Sequence, residues 1–250
     1  MIRVLTFLAA LLVGIGPLAT SAAAQSAPAP VDSGRYKAAF GLAQALRTEQ
    51  SVLAETAHLF TDSGIAQMQQ NAAIATLEHR YPGVTKFMFS AARPELEHQV
   101  VAGLPDLWNR LAQLFAVEMT ESEIAQATAY YLSPEGERFK AAMLKNYDFG
   151  GEISAAAKAP DAAIDPKDIG NGVAAGVPGT LRDLSASDKA ALEAFSHTPA
   201  FRKIVALNPR VLEISAAWGS RHDPEGQAKI DKIMGAAVAD YIARKPAVAQ

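Results

Sequence analysis

Apolar residues recur along most of the chain with the three- and four-residue spacing of an amphipathic helix. Leu96, Val100 and Leu104, for example, fall on one face of such a helix. Alternating apolar and polar residues, which are typical of a half-buried strand, are nearly absent. The helical pattern begins at Tyr36 and predicts an all-α fold, a helical bundle.

Prolines divide this helical pattern into segments. Pro94 suits a first helical turn, where the missing N–H would have no helical partner. Pro105 is expected to end or kink the helix that precedes it, because proline disfavours helical geometry at the residue before it. Pro209 and Pro224 follow an Asn and an Asp, residue types that cap helices, and they predict two further corners.

Residues 150–180 differ in composition from the rest of the chain. They hold six of the seventeen glycines and three of the fourteen prolines, with few large apolar residues. We predict a linker or loosely packed connection between a helical half at residues 35–149 and a second helical half at residues 181–245. The run GNGVAAGVPG lacks the lysine and the strand–helix context of a phosphate-binding loop.

One stretch of the sequence resembles another stretch 65 residues later. Residues 119–139, MTESEIAQATAYYLSPEGERF, align without a gap with residues 184–204, LSASDKAALEAFSHTPAFRKI. Thr120 with Glu123, and Ser185 with Asp188, have the spacing of a capping box. In that motif the hydroxyl accepts a hydrogen bond from the third helical amide, and the acid accepts one from the cap amide.

Both stretches then contain a hydroxyl residue followed by proline, Ser-Pro at 133–134 and Thr-Pro at 198–199. The hydroxyl can cap a new helix and proline suits its first position, so each dipeptide predicts a sharp corner. The bundle is therefore expected to contain two related helix–corner–helix units. Gly136 would let two helices approach closely or relieve crowding at the first corner, whereas the second unit has Phe201 there.

Residues 119–139 also resemble the domain of unknown function 2059 family of exported bacterial proteins. The similarity lies in the acid-led helix, the aromatic pair, the Ser-Pro-x-Gly turn and the basic and apolar helix that follows. It covers about 50 residues around this stretch and, more weakly, the second copy. The resemblance implies an all-helical exported domain and brings no catalytic residues with it.

The first 24 residues are a predicted secretory signal peptide. Arg3 precedes an apolar run at residues 4–18, and a small-residue A-x-A site ends at Ala24. We expect cleavage after Ala24 and a flexible leader at residues 25–34, which are rich in Ala, Pro and Ser. An uncleaved anchor is the alternative, but the apolar run is shorter than the roughly 20 residues that span a bilayer.

The signal peptide predicts a cellular location, and the composition excludes several classes of protein. The signal predicts a periplasmic protein with no transmembrane segment after cleavage, and release to the medium is the alternative. The sequence has no cysteine, so neither an acylated lipoprotein nor a disulfide framework is expected. The formal charge of −3 without a basic block predicts no nucleic-acid partner.

Two Glu-x-x-His pairs, Glu55 with His58 and Glu95 with His98, are candidates for a metal site. Such pairs on two helices are half of the ligand set of a carboxylate-bridged di-iron bundle. A helical wheel places both pairs away from the apolar stripes, toward solvent, whereas a bundle metal must be bound from the interior. We therefore predict no metal and no cofactor, and a metal-dependent enzyme is a lesser alternative.

No catalytic residue is predicted, because the sequence lacks cysteine and a G-x-S-x-G elbow. Tyr131 shares a helix face with Ile124 and is expected in the core. Tyr130, offset by one residue, is expected to line the seam between the two units or an exposed binding patch. Tyr130, Gly136 and Phe195 are the predicted binding residues.

The predicted function is a non-enzymatic interaction or accessory role in the cell envelope. Its expected partner is an envelope protein or a peptide that contacts a leftover apolar groove between the two units. A carrier of a small apolar ligand or lipid is the main alternative.

Overall fold

The computed structural model describes residues 33–69, 71–151, 163–221 and 223–244. This part of the chain is helical and contains no strand, so the prediction of an all-α bundle is confirmed. The helices are α1 (Ser33–Leu46), α2 (Glu49–Leu59), α3 (Asp62–Met68), α4 (Ala72–Arg80), α5 (Val84–Glu118), α6 (Glu121–Tyr131), α7 (Pro134–Asn146), α8 (Pro166–Asp183), α9 (Ala186–Ser196), α10 (Pro199–Gly219) and α11 (Pro224–Arg244).

The 35-residue helix α5 is the central element of the bundle. At 1.5 Å per residue it is about 52 Å long. Helices α1, α2, α4, α10 and α11 pack against it. Its buried side chains run from Phe89 through Leu96, Leu104 and Leu111 to Phe115, and each is at most 1% exposed. One long helix thus supplies the largest part of the core.

The helix boundaries predicted at three prolines are wrong. Pro94 and Pro105 lie inside α5, and Pro209 lies inside α10. Pro94 and Pro105 are on the exposed side of α5, where water can hydrate the carbonyls that lose their helical partner. Leu104 and Leu107, on either side of Pro105, are both fully buried. Core packing on both sides of the proline therefore keeps one helix through it.

The capping boxes at the start of α6 and α9 are confirmed. The Thr120 Oγ1 accepts from the Glu123 backbone N at 3.2 Å, and the Thr120 backbone N donates to Glu123 Oε2 at 2.7 Å. In the second box, Ser185 Oγ accepts from the Asp188 backbone N at 3.2 Å. The Ser185 backbone N donates back to Asp188 Oδ2 at 3.2 Å.

The corners that follow these two helices also form as predicted. At the first, Ser133 Oγ accepts from the Gly136 backbone N at 3.0 Å, and at the second, Thr198 Oγ1 accepts from the Phe201 backbone N at 3.1 Å. Asp223 caps α11 in the same way, accepting from the Gly226 backbone N at 3.0 Å. The helix–corner–helix units are thus α6–α7 and α9–α10, and α6 packs on α10 while α7 packs on α9.

The predicted linker at residues 150–180 is wrong for residues 166–180, which belong to helix α8. Asp165 caps this helix and Ile169 is fully buried. Its glycines serve close packing on the end of α7. A Cβ on Gly172 would lie 2.5 Å from the Asp148 backbone O, and one on Gly176 would lie 2.6 Å from the Asn146 backbone O.

Gly176→Ala is therefore expected to lower the free energy of unfolding by about 1–2 kcal/mol through overpacking. Urea denaturation of the two proteins measures it. Gly170→Ala on the same helix is the matched control, because its Cβ would meet Leu212 Cδ1 at an ordinary 3.5 Å. The control should gain about 0.5–1 kcal/mol of helix propensity. Equal effects of the two substitutions would contradict close packing of α8.

Some sequence predictions lie outside the described residues. These are the signal peptide at residues 1–24 and the leader up to residue 32. Helix α1 begins at Ser33 and so includes the last two residues, 33 and 34, of the predicted leader. Within the described ranges, no helix combines the length and the hydropathy that crossing a membrane requires.

Candidate functional site

The two helix–corner–helix units meet through a cluster of aromatic rings. Tyr130 of α6 stacks on Phe195 of α9, with ring centroids 4.1 Å apart and planes inclined by 10°. Tyr131 meets Phe195 edge to face at 5.7 Å, and Phe201 does so at 5.5 Å. Phe139 of α7 lies 6.4 Å from Tyr130. Of the two positions predicted for Tyr130, the seam between the units is the one observed.

An apolar groove of about 370 Å³ opens beside this cluster, and we call it the seam groove. Helices α6, α7, α8, α9 and α10 all contribute to it. Its lining residues are Tyr130, Tyr131, Phe139, Leu181, Lys189, Leu192, Glu193, Phe195, Ser196, Phe201 and Ile204. Eight of these eleven side chains are aromatic or aliphatic. The groove is therefore suited to an apolar occupant.

Charges at the seam groove balance each other. Lys189 and Glu193 are both exposed and lie four residues apart on α9. Leu181 of α8 also lines the groove and leaves 37% of its surface exposed to solvent, which is high for a large apolar residue. Covering it would remove apolar surface from water.

The Tyr130 side chain combines burial with an unused hydrogen-bonding group. The residue is only 8% exposed, and its hydroxyl is shielded from solvent with no hydrogen-bond partner among the described residues. Burial raises the pKa of Tyr130 to about 12, and the nearby carboxylates of Asp188 and Glu135 add to this effect. The hydroxyl therefore stays protonated and can donate a hydrogen bond. Tyr131 is 4% exposed, as predicted for a core residue, and burial raises its pKa as well.

An ion-pair network joins the two units next to Tyr130. Arg138 of α7 donates to Asp188 of α9 at 2.8 Å and to Glu135 at 2.8 Å. The hydrogen bond from Arg138 holds the pKa of Asp188 below its usual range, helped by Ser185. The Asp188 side chain is 4% exposed, so it serves both as the capping acid of α9 and as a fixed contact across the seam.

Gly136 does not line the seam groove but lies in the first turn of α7, at the first corner. A Cβ there would collide with the backbone carbonyl oxygen of Tyr130 in the same unit. Of the two roles predicted for Gly136, relief of crowding at the corner is the one observed. Gly136 thus supports the position of Tyr130, while Tyr130 and Phe195 contact each other directly.

The Glu-x-x-His pairs lie in different surroundings. Glu55 is 2% exposed and its two oxygens accept from Arg47 at 2.5 and 2.8 Å, so the prediction that it points to solvent is wrong. The wheel failed because the partner comes from the end of α1. The His58 side chain lies outside the described part of the structure.

The second pair is only partly at the surface, because the Glu95 side chain is 12% exposed and does not have the solvent-facing position that was predicted for it. His98 is exposed, and Glu95 accepts from Lys229 at 2.5 Å and from Gln99 at 2.8 Å. Both line a cavity of about 530 Å³ between α5, α10 and α11. Among the described residues, no three His, Cys, Asp or Glu side chains are grouped to hold a metal ion.

Sequence reasoning missed most of the groove lining. Leu181 lies in α8, next to the segment predicted to be a linker, and Leu192 lies on α9 without any local signal for a site. Phe201 could have been found, because it replaces Gly136 in the second unit with a large ring. That difference between the units was the only local indication.

Comparison with protein-family models, curated proteins and solved structures gives no match for this chain. The resemblance of residues 119–139 to the domain of unknown function 2059 family stays a prediction.

Proposed function

We propose that the protein is an exported, non-enzymatic binding protein of the cell envelope, and that the seam groove is its binding surface. The observation that carries this proposal is the aromatic groove between the two helix–corner–helix units. Its volume of about 370 Å³ falls within the range of roughly 300–1,000 Å³ typical of ligand pockets. The occupant is the apolar part of an envelope protein, a peptide or a lipid-like molecule.

The aromatic cluster favours binding because it is already ordered. Tyr130 is fixed between Phe195 and Phe139, and Phe195 is fixed by Tyr131 and Phe201. A preformed wall of packed rings loses little conformational freedom when a ligand enters, and this saves part of the free energy that binding otherwise costs. The exposed surface of Leu181 at the groove supplies a further gain on burial.

The polar groups of the seam and of the two corners next to the groove are engaged in holding the fold together. Arg138 is held by Asp188 and Glu135. The hydroxyls of Ser133 and Thr198 accept from helix amides and donate to carbonyls at their corners. Each of these groups stabilises the corners or the seam, so none is free to activate a nucleophile.

Export is the second part of the proposal and rests on the sequence. The basic start, the apolar run and the A-x-A site of residues 1–24 support translocation and cleavage after Ala24. The mature chain then functions in the periplasm without a membrane span or a nucleic-acid partner. Protein isolated from the periplasmic fraction is expected to begin at Gln25, and its intact mass measures this.

The mature protein is expected to bind the neutral apolar dye N-phenyl-1-naphthylamine, whose fluorescence rises in an apolar site. Ser196→Trp should reduce the affinity at least tenfold, because the indole fills the seam groove. Val117→Trp is the matched control, since Val117 is 45% exposed and lies outside the groove. The same loss in both variants, or in neither, would show that the dye binds elsewhere and would refute the groove as the binding surface.

A further inference from the structure

A second cavity, of about 530 Å³, lies between α5, α10 and α11, and we call it the α11 cavity. It shares no lining residue with the seam groove. Its ionisable lining residues are Glu95, His98, Arg221, Asp223, Glu225 and Lys229. Side chains of both charges therefore line one cavity, and those that remain unpaired decide what it can bind.

Glu95 and Lys229 pair with each other. The Lys229 Nζ lies 2.5 Å from Glu95 Oε2, and Gln99 donates to Glu95 Oε1 at 2.8 Å. The hydrogen bond from Lys229, helped by the one from Gln99, holds the pKa of Glu95 below its usual range. This pair joins α5 to α11 and leaves neither charge to an occupant of the cavity.

Arg221 is held in place but only partly paired. Its guanidinium carbon lies 4.5 Å from the centre of the Trp218 ring, and its Nε donates to the Trp218 backbone O at 2.9 Å. Nη1 reaches Asp106 Oδ2 at 3.4 Å, which is long for such a pair. Nη2 makes no hydrogen bond among the described residues and lies against Gly103 of the cavity lining, where an added Cβ would collide with it. The side chain is 37% exposed, so an occupant of the cavity can reach the guanidinium.

The charges near Arg221 leave it open to a further anionic group. Burial lowers the pKa of Arg221, Arg110 adds to this effect, and Asp106 and Asp223 offset only part of it. A carboxylate on an occupant would compensate the guanidinium, and charge-assisted hydrogen bonds of this kind are among the strongest in proteins.

The start of α11 offers the opposite charge. Glu225 is exposed, and its side chain makes no ion pair or hydrogen bond within the described ranges. Asp223 is exposed too, and its Oδ1 accepts from the Gly226 backbone N at 3.0 Å, which leaves Oδ2 to other donors. Both carboxylates can accept hydrogen bonds from an ammonium group in the cavity.

The size of the α11 cavity limits its occupant. About 530 Å³ is the volume of roughly 18 water molecules at ~30 Å³ each, so a dipeptide of two leucines would fill it and leucine would fill about half. Val100, Ala102 and Trp218 in the lining offer apolar contacts to the side chains of such an occupant.

We propose that the α11 cavity binds a small zwitterion with an apolar side chain, whose carboxylate pairs with Arg221 and whose ammonium group pairs with Glu225 and Asp223. A free amino acid and a short peptide both have this chemistry. An amine without a carboxylate would leave Arg221 uncompensated, and a carboxylate without an amine would face the two acids. This site goes beyond the proposed binding role of the seam groove and does not depend on it.

Four probes test the two charges separately. Leucine and the dipeptide leucyl-leucine carry both, 3-methylbutylamine carries only the ammonium group, and 4-methylpentanoate carries only the carboxylate. Dissociation constants come from NMR titrations of the mature protein at neutral pH. Leucine is expected to bind about tenfold more tightly than either singly charged probe, since each of these lacks one ion pair. Tighter binding of leucyl-leucine would identify a peptide as the occupant, and tighter binding of leucine a free amino acid.

Glu225→Gln removes a carboxylate from an exposed position and should leave the fold intact. It should weaken leucine binding about three- to tenfold, because the ammonium group loses one of its two acceptors, without weakening the binding of 4-methylpentanoate. Glu121→Gln is the matched control, since Glu121 is an exposed acid in the first turn of α6 and lies outside the cavity. It should bind all four probes like the unmodified protein.

Arg221→Gln tests the carboxylate side of the cavity. It should reduce the preference for leucine over 3-methylbutylamine to about one. This preference compares two ligands of the same variant, so a change in stability does not alter its meaning. Arg244→Gln is the control, because Arg244 lies at the far end of α11 and pairs with Asp240 at 2.8 Å outside the cavity.

Equal binding of leucine and the singly charged probes, or no binding of leucine and leucyl-leucine, would overturn the zwitterion site. The same losses in the control variants would place the binding elsewhere and overturn it too. Neither result bears on the seam groove, because dye binding and its loss in Ser196→Trp test that surface separately.

Discussion

Arg47→Met is expected to lower the free energy of unfolding by about 3–5 kcal/mol, the cost of breaking a buried ion pair on one side. Arg47 Nη1 and Nη2 donate to the two oxygens of Glu55 at 2.5 and 2.8 Å. The side chains are 4% and 3% exposed. Without the guanidinium, Glu55 would be buried in the core beside Thr56 with no opposing charge.

The loss of folding stability in Arg47→Met should grow as the pH rises. Burial raises the pKa of Glu55, and Arg47 opposes that shift through its charge and its hydrogen bonds. In Arg47→Met the opposing contributions are gone, so the folded-state pKa rises further and the carboxyl stays neutral. A carboxyl with a raised folded-state pKa stabilises the fold below its unfolded pKa, and this contribution is lost as pH rises. Urea denaturation should therefore show a larger deficit at pH 7 than at pH 4.

An exposed ion pair provides the control for this prediction. Arg110 contacts Asp106 at 3.0 Å on the surface of α5, with both side chains more than 40% exposed. Arg110→Met should cost less than about 1 kcal/mol, because solvent screens the pair. Arg47→Met combined with Glu55→Leu should recover most of the stability. Equal costs for Arg47→Met and Arg110→Met would contradict a buried pair.

Glu55 also shows why the helical wheel could not predict this part of the fold. The wheel assigned a solvent face from neighbours on α2 alone, while the groups that bury Glu55 come from other elements. Arg47 lies just after α1, and Trp108 of α5 donates from Nε1 to its backbone O at 2.8 Å. A charged residue outside the apolar stripe of its helix can still be buried when a partner from another part of the chain neutralises it. That partner is a property of the tertiary structure.

Features that depend on local sequence were predictable. The capping boxes at Thr120 and Ser185 and the corners at Ser133 and Thr198 need residues only three positions apart, and all four form. The alignment also made Tyr130 and Phe195 equivalent positions of the two units, and these two rings stack in the structure. The central part of the candidate site therefore followed from the sequence.

Features that depend on packing were not predictable from composition. Glycines at 172 and 176 suggested a flexible segment, yet their spacing of one helical turn serves a close contact between α8 and α7. Pro94 suggested the start of a helix and Pro105 an end or a kink, yet burial of residues on both sides keeps α5 continuous. Because residues 166–180 of α8 were predicted as a linker, the wall that the end of this helix adds to the seam groove through Leu181 was missed.

Gly136→Ala is expected to cost about 3 kcal/mol, at the upper end for an overpacked site. Its Cβ would collide with the Tyr130 backbone carbonyl, which cannot rotate away as a side chain can. That carbonyl already accepts from the Ser133 backbone N at 3.0 Å and from Ser133 Oγ at 2.7 Å. Relief requires α7 to move away from α6, which would shift Phe139 relative to Tyr130. Dye affinity at the seam groove should therefore fall together with stability.

Gly41→Ala is the matched control for this substitution, because nothing lies within 4 Å of the added Cβ. It should raise stability by about 0.5–1 kcal/mol and leave dye binding as in the unmodified protein. The corner of the second unit offers a comparison for Gly136 within the same protein. Thr198 and Phe201 form the same cap as Ser133 and Gly136, yet Phe201 has a Cβ at that position. If Gly136→Ala costs no more than Gly41→Ala, the first corner can relax to the geometry of the second, and Gly136 is not required to position Tyr130.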